Sequence, residues 1–189
     1  MKKLEYHSAL HPQSATDTEA DRVIIGESIA MFNDITQYPL LPVEYQKCDV
    51  LYTELSWVAG LSVFNERAKR GVPYKYYIDA LNRIISSFRT PIFIVAGKKD
   101  CKLLPKPELF LLTKLNGAPA QVNIYNTLYW GEHNTTTDII NQLAEDFECV
   151  GDFCCGYGNT GNIFREHGKQ FVMSDYNKQC IGYIKSWLC

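Results

Sequence analysis

Near the C-terminus, the stretch GDFCCGYGNTGNIFREHGKQFVMSDYN (Gly151–Asn177) limits the fold more than any other part of the chain. A strand is expected over Cys149–Cys154, followed by the loop Gly156-x-Gly158-x-x-Gly161 and a helix around Thr160–His167. A second strand follows at Gln170–Ser174, closed by Asp175, 19 residues after Gly156. Glycines in a strand–loop–helix turn let the backbone enter left-handed conformations and come close to a ligand. An acid at the end of the next strand stands where ribose hydroxyls are bound. The plain alternative is a tight strand–helix turn that holds no ligand.

Two ligands use such a cradle, a dinucleotide and S-adenosylmethionine, and two features favour the second. Asp152 sits inside the end of the strand, just before the glycines. A carboxylate there repels a pyrophosphate but accepts a hydrogen bond from an ammonium group. Only 14 residues follow Asp175, whereas a dinucleotide fold continues with further βαβ units. The remaining strands are therefore expected from earlier in the chain.

Upstream, residues 1–21 are polar and aperiodic and read as an N-terminal arm. Val23–Ile25 reads as a buried strand ending at Gly26-Glu27, and SIAMFNDI as a short helix with Ser28 as N-cap. Asp49–Thr53 is a second strand, and Tyr74–Phe88 carries the apolar stripe of an amphipathic helix. IFIVAG after Pro91 is a continuous apolar run suited to the middle of a parallel sheet. CKLLPKPELFLL is broken by two prolines and reads as loop or edge; AQVNIYNTLYW alternates as a strand does. TTTDIINQLAEDF reads as a helix capped by a threonine, and a final helix closes the chain. Strands alternating with helices predict an α/β fold with a mostly parallel sheet.

Composition sets the remaining bounds. A chain of 189 residues, 46% hydrophobic and 21% charged, is expected to form a single domain over 22–189. The net charge of -2 argues against a broad electrostatic footprint for duplex nucleic acid. The local basic runs ERAKRG (Glu66–Gly71) and GKKDCKLLPK (Gly97–Lys106) are candidate phosphate contacts, or solvated loops. Seven cysteines without zinc spacing, and no signal-peptide pattern, point to reduced thiols, no metal site and a cytoplasmic location. No apolar run reaches membrane-spanning length.

The order of these motifs resembles that of the circularly permuted, amino-group-directed DNA methyltransferases, over roughly residues 22–188. GDFCCGYGNTG is similar to that family's D-P-F-x-G-S-G-T-T-G loop, and FVMSDYN to its ribose-binding strand. RVIIGESIAMF resembles the strand ending in Gly-Asp, CDVLYTELSW stands in the place of D-L-I-Y-x-D-P-P-W, and GEHNTTTDIINQLAED resembles the His-x-x-Lys-Pro segment and helix. The resemblance implies a Rossmann-like, circularly permuted methyltransferase fold with a catalytic half (22–130) before a cofactor half (131–189). It implies S-adenosylmethionine as cofactor, held by Glu27, Asp152, Phe153, Gly156, Gly158 and Asp175. It also implies methyl transfer to an exocyclic amine of a nucleobase, with adenine N6 in DNA placed ahead of RNA. Nucleic acid is the expected partner, contacted directly or through a partner subunit, and an oligomer stays open.

The family's tetrapeptide begins with Asp, Asn or Ser, continues with two prolines and ends in an aromatic. A side-chain oxygen and a backbone carbonyl accept the amine hydrogens, the prolines fix that backbone, and the aromatic stacks on the extruded base. Here the segment is Glu54-Leu55-Ser56-Trp57, so Glu54 and Trp57 are the catalytic candidates. Both prolines are absent. A strand-end acid and a buried tryptophan without catalysis are the alternative, giving a methyltransferase-fold binding subunit. An enzyme acting on RNA or a small molecule also stays open, as does NAD chemistry from the glycine loop alone. His133, without the Lys-Pro pair, is expected in a polar contact or a cap.

Overall fold

The computed structural model describes residues 22–37, 40–55, 71–115, 117–127, 131 and 135–188. Its apolar runs form the strands β1 (Arg22–Ile25), β2 (Ser28–Phe32), β3 (Val50–Glu54), β4 (Ile92–Ala96), β5 (Leu109–Leu115), β6 (Ala118–Tyr125), β7 (Cys149–Asp152) and β8 (Gln170–Asp175). The helices are α1 (Tyr74–Ser87), α2 (Lys98–Cys101), α3 (Thr136–Asp146), α4 (Asn159–Glu166) and α5 (Lys178–Leu188), with a 3₁₀ turn at Val43–Lys47.

All eight strands join one sheet in the order β1-β2-β8-β7-β3-β4-β6-β5. β2, β8, β7, β3 and β4 run parallel, and β1, at one edge, is antiparallel to β2. At the other edge, β6 is antiparallel to both β4 and β5. The last two strands in sequence thus lie in the middle of the sheet. Loops at the C-terminal ends of β2, β8, β7, β3 and β4 share one edge, where α/β sheets bind ligands.

The central strands are apolar on both faces because helices cover both. Leu51, Ile92 and Ile94 pack with Tyr77, Leu81 and Ile84 of α1. Val50, Tyr52, Phe93, Val150 and Phe171 pack with Ile139 and Leu143 of α3, Phe164 of α4 and Ile184 of α5. Each such fully buried side chain contributes roughly 1.5–3 kcal/mol of transfer free energy. α3 starts at Thr135, whose hydroxyl accepts from the Asp138 amide at 3.1 Å while the Asp138 carboxylate accepts from the Thr135 amide at 3.0 Å. That reciprocal pair is the capping box, and it confirms the threonine cap expected from the sequence.

One element departs from the sequence reading. SIAMFNDI does not form a helix; Ser28–Phe32 is the parallel strand β2. Gly26, at φ +57, opens a two-residue hairpin turn that pairs Ile25 with Ser28. A glycine at the first turn position matches the right-handed twist of the flanking strands. The apolar run beyond it is buried against β8 as a strand.

Candidate cofactor and catalytic site

The strand β7 ends at Asp152 rather than at Cys154, and the chain then bends back into α4. Gly156 and Gly158 take φ of +50 and +85, which side chains rarely adopt. A Cβ on Gly156 would meet nothing within 4 Å, so the loop faces open space there. Gly161 lies against β8: a Cβ would collide with the Met173 side chain and stand 3.3 Å from the Phe171 ring. The first glycine opens the cradle, and the third lets α4 pack close to the sheet.

Two buried carboxylates shape this loop. Asp152 accepts from the Thr160 hydroxyl at 2.7 Å and from the Cys154 amide at 3.2 Å. Burial pushes its pKa up to about 7; the two donors oppose the shift, and the charge of nearby Glu54 adds to it. Asp175 accepts from the amides of Gly156 at 2.9 Å and Asn177 at 2.8 Å. Burial raises it to about 6 against those donors. An ionised carboxylate has about four acceptor sites, so Asp175 braces the glycine loop and keeps acceptor capacity for a ligand hydroxyl. The fully buried Thr53 hydroxyl favours the charged forms of Asp152 and Cys154 but reaches neither with hydrogen-bond geometry.

Glu54 stands at the end of β3, beside β7. The Tyr52 hydroxyl donates to its Oε1 at 2.7 Å. Burial raises the Glu54 pKa, opposed by Tyr52 and by the Thr136 hydroxyl at the start of α3. A half-buried acid with a raised pKa and a fixed rotamer is suited to accept a proton. Leu55 continues the ladder: its amide donates to the Val95 carbonyl at 2.8 Å. A proline at that position has no N–H to make this bond, so the missing prolines change the backbone as well as the sequence. Trp57 and His133 lie outside the described residues.

Asp152, Gly156, Gly158, Asp175 and Glu54 are thus gathered at one sheet edge. Phe153 is only 1% exposed and sits in the core on the α1 face, where it anchors the loop from beneath. Glu27 is not brought to the site. It occupies the β1–β2 turn, where its carboxylate accepts from Gln170 at 2.6 Å. Gln170 begins β8 and Asp175 ends it, a separation of about 16 Å at strand rise. The physical reason is the hairpin: because the second arm is a strand and not a helix, Gly26-Glu27 lies at the far end of the sheet. The acid at the site end of β2 is Asp34, 2% exposed, which accepts from the Thr36 amide at 3.0 Å and hydroxyl at 2.7 Å. Phe32 pairs with Asp175, and the Asn33 amide donates to the Asp175 carbonyl at 3.0 Å. Two apolar runs flanking Gly-Glu are the signal for a hairpin, and with it for Asp34. Tyr45 and Tyr77, the second of which donates to the Cys154 sulfur at 2.8 Å, carry no local motif and emerge only in three dimensions.

No protein-family model matches the sequence, and no curated protein matches it. Solved structures do. The crystal structure of M1.HpyAVI superposes with a TM-score of 0.55 at 10% identity, covering 84% of this chain and 97% of that one. Its complex with SAM gives 0.54 at 9% identity over the same shares. The putative DNA modification methylase TTHA0409 from Thermus thermophilus gives 0.53 at 10% identity, with 84% and 92% covered. The chain has the DNA-methylase fold. Within that methyltransferase fold, the glycine loop between β7 and α4 and Glu54 at the end of β3 lie at the same sheet edge. Among the described residues, no group of three His, Cys, Asp or Glu side chains is placed to hold a metal ion.

Proposed function

We propose that the chain is an S-adenosylmethionine-dependent methyltransferase acting on an exocyclic amine of a nucleobase in DNA, with adenine N6 as the target. The observation that carries this reading is the convergence of Asp152, Asp175 and Glu54 around the open glycine loop. The residues fit the cofactor chemically: Gly156 leaves room over the loop, and the buried carboxylates match a cationic and hydroxyl-bearing ligand. When bound, S-adenosylmethionine supplies an electrophilic methyl group on sulfur. Asp152 would bind the ammonium end, Asp175 a ribose hydroxyl, and Asp34, in place of Glu27, the adenine end. Glu54 would accept a hydrogen of the amine and take up the proton released on transfer. Trp57 is the proposed stacking wall for the base.

The chain order supports a permuted arrangement, with the catalytic half in 22–130 and the cofactor half in 131–189. β7 and β8 come last in sequence but pair with β3 and β2. DNA is proposed as the partner, read by this chain, an oligomer of it or a separate subunit, in a cytoplasmic setting. No described helix is long and apolar enough to cross a membrane.

A second reading is favoured by one observation, the Leu55–Val95 hydrogen bond that carries the β3 ladder one residue past Glu54. In that reading the fold binds cofactor without transferring the methyl group. Labelled-methyl transfer to DNA, RNA and small amines, with Asp152→Ala as control, separates the two. Transfer to DNA that is lost with Asp152→Ala supports the enzyme; cofactor binding without transfer to any acceptor supports the second reading. Absence of cofactor binding in calorimetry at millimolar concentration sinks both.

A further inference from the structure

The outer wing of the sheet, β4–β6–β5, presents one face that α3 does not cover. Leu109 and Leu111 of β5 pack on the α3 side, while Phe110 and Leu112, which alternate with them, are 58% and 66% exposed on the other. Their cross-strand neighbours are Asn123 and Gln121 of β6. Gln121 Nε2 donates to Asn123 Oδ1 at 2.7 Å, and Asn123 Nδ2 to the Cys101 carbonyl at 3.2 Å. The segment that starts with α2 therefore lies along the same face.

That segment brings three exposed lysines, Lys98, Lys99 and Lys102. Lys114, next in alternation after Phe110 and Leu112, adds a fourth. Among the described residues none of the four pairs with a carboxylate, and Asp100 between them is buried. The patch is close to the candidate catalytic acid. Glu54 pairs with Val95 of β4, and Lys98 follows three residues later, about 10 Å along the chain.

An edge strand is ordinarily protected by charge or by short length. β5 carries one such charge, Lys114, and exposes an aromatic and an aliphatic side chain beside it. Exposed cations clustered on one face attract a polyanion, and cations with an aromatic platform are the combination that holds single-stranded nucleic acid. The net charge of -2 confines this attraction to the patch.

We infer that this face holds the nucleic-acid strand flanking the target base. Its backbone runs along Lys98, Lys99, Lys102 and Lys114, and one unstacked base lies on Phe110. The inference rests on the methyltransferase reading above and adds to it the surface that carries the substrate strand.

The test is fluorescence anisotropy with a labelled single strand of about 20 nucleotides, on the full chain and two variants. Replacing the four lysines by glutamine is expected to weaken binding by at least ~10-fold and to flatten the log–log salt slope by about 3. Phe110→Ala is expected to weaken it by about 10-fold. Both variants should bind S-adenosylmethionine in calorimetry as the parent does, which shows that they are folded. Unchanged nucleic-acid affinity in the lysine variant overturns the inference, as does a parent protein that binds no strand. Self-association that is lost in Phe110→Ser/Leu112→Ser, with strand binding unchanged, makes the face a protein interface and also overturns it. If the parent fails to bind cofactor, the methyltransferase reading falls, while the strand titration still decides this one.

Discussion

The Tyr45 ring occupies the space that a side chain at Gly151 would need: a Cβ there would stand 2.7 Å from its Cδ1. From this position the fully buried Tyr45 hydroxyl donates to the Asp152 carbonyl at 3.0 Å and shares a hydrogen bond with Ser174 Oγ at 2.7 Å. One residue of the 3₁₀ turn thereby ties the ends of β7 and β8, the strands that present Asp152 and Asp175. Burial raises the Tyr45 pKa, so the hydroxyl stays a donor.

Gly151→Ala should displace the ring and cost about 1–3 kcal/mol, seen as a lower thermal midpoint. Tyr45→Phe keeps the ring but drops both hydrogen bonds, a loss of about 1–3 kcal/mol. It should weaken cofactor binding more than its stability cost predicts. If Tyr45→Phe leaves both melting and cofactor affinity at parent values, the tie has no role.

The stability of the ligand-free protein should fall as pH rises from about 4 to 7. Asp152 has a folded pKa of about 7 against a usual carboxylate value of 3.8, because burial penalises its charge. Below both values the two states are protonated alike. Above the lower one the unfolded chain ionises first, so stability is lost until pH passes the folded value. Asp175, at about 6, acts with the same sign. Thermal melts across this range should show the slope, and Asp152→Asn should reduce it. A bound ammonium group should flatten it by favouring the charged carboxylate.

Glu54→Gln keeps the shape and an acceptor oxygen but removes the base. Methyl transfer should drop by about 100-fold or more, with cofactor affinity little changed. Tyr52→Phe removes the donor at 2.7 Å that holds the carboxylate, and its effect should be smaller, in rate rather than in cofactor binding. Single-turnover transfer alongside calorimetry reads both. Parent-level transfer in Glu54→Gln would remove Glu54 from the chemistry.

Thr135→Ala breaks the capping box of α3 and should cost about 1 kcal/mol, measured by denaturant titration. Thr136, next in sequence, favours the charged form of Glu54. Fraying at this end should therefore also lower the transfer rate, whereas Thr137→Ala, one position further from the cap, should leave it near the parent value.

The cradle is legible in the sequence because its parts are local. Asp152, the glycines and Asp175 lie within one strand–loop–helix–strand unit, and backbone conformation alone demands glycine at Gly156 and Gly158. The long amphipathic helix α1 and the central strand β4 are legible for the same reason, from pattern over a single segment. β2 is not. Its five residues carry no period that separates strand from helix, and only pairing with β8, some 140 residues away, decides the matter. The misplacement of Glu27 follows from that single error. Tyr45 is invisible for a different reason: it acts through neighbours on two other strands, and no spacing in the sequence encodes such a contact.

The place of β7 and β8 in the sheet also has a consequence during synthesis. β2 and β3 are made early, but the strands that must lie between them are made last. Until Asp175 has left the ribosome, the nascent chain holds two apolar half-sheets with no shared centre. Long-range pairing of this kind is slow and leaves strand edges exposed. The chain should therefore depend on chaperones until β8 is made and become protease-resistant in one step, when the central pair closes the gap.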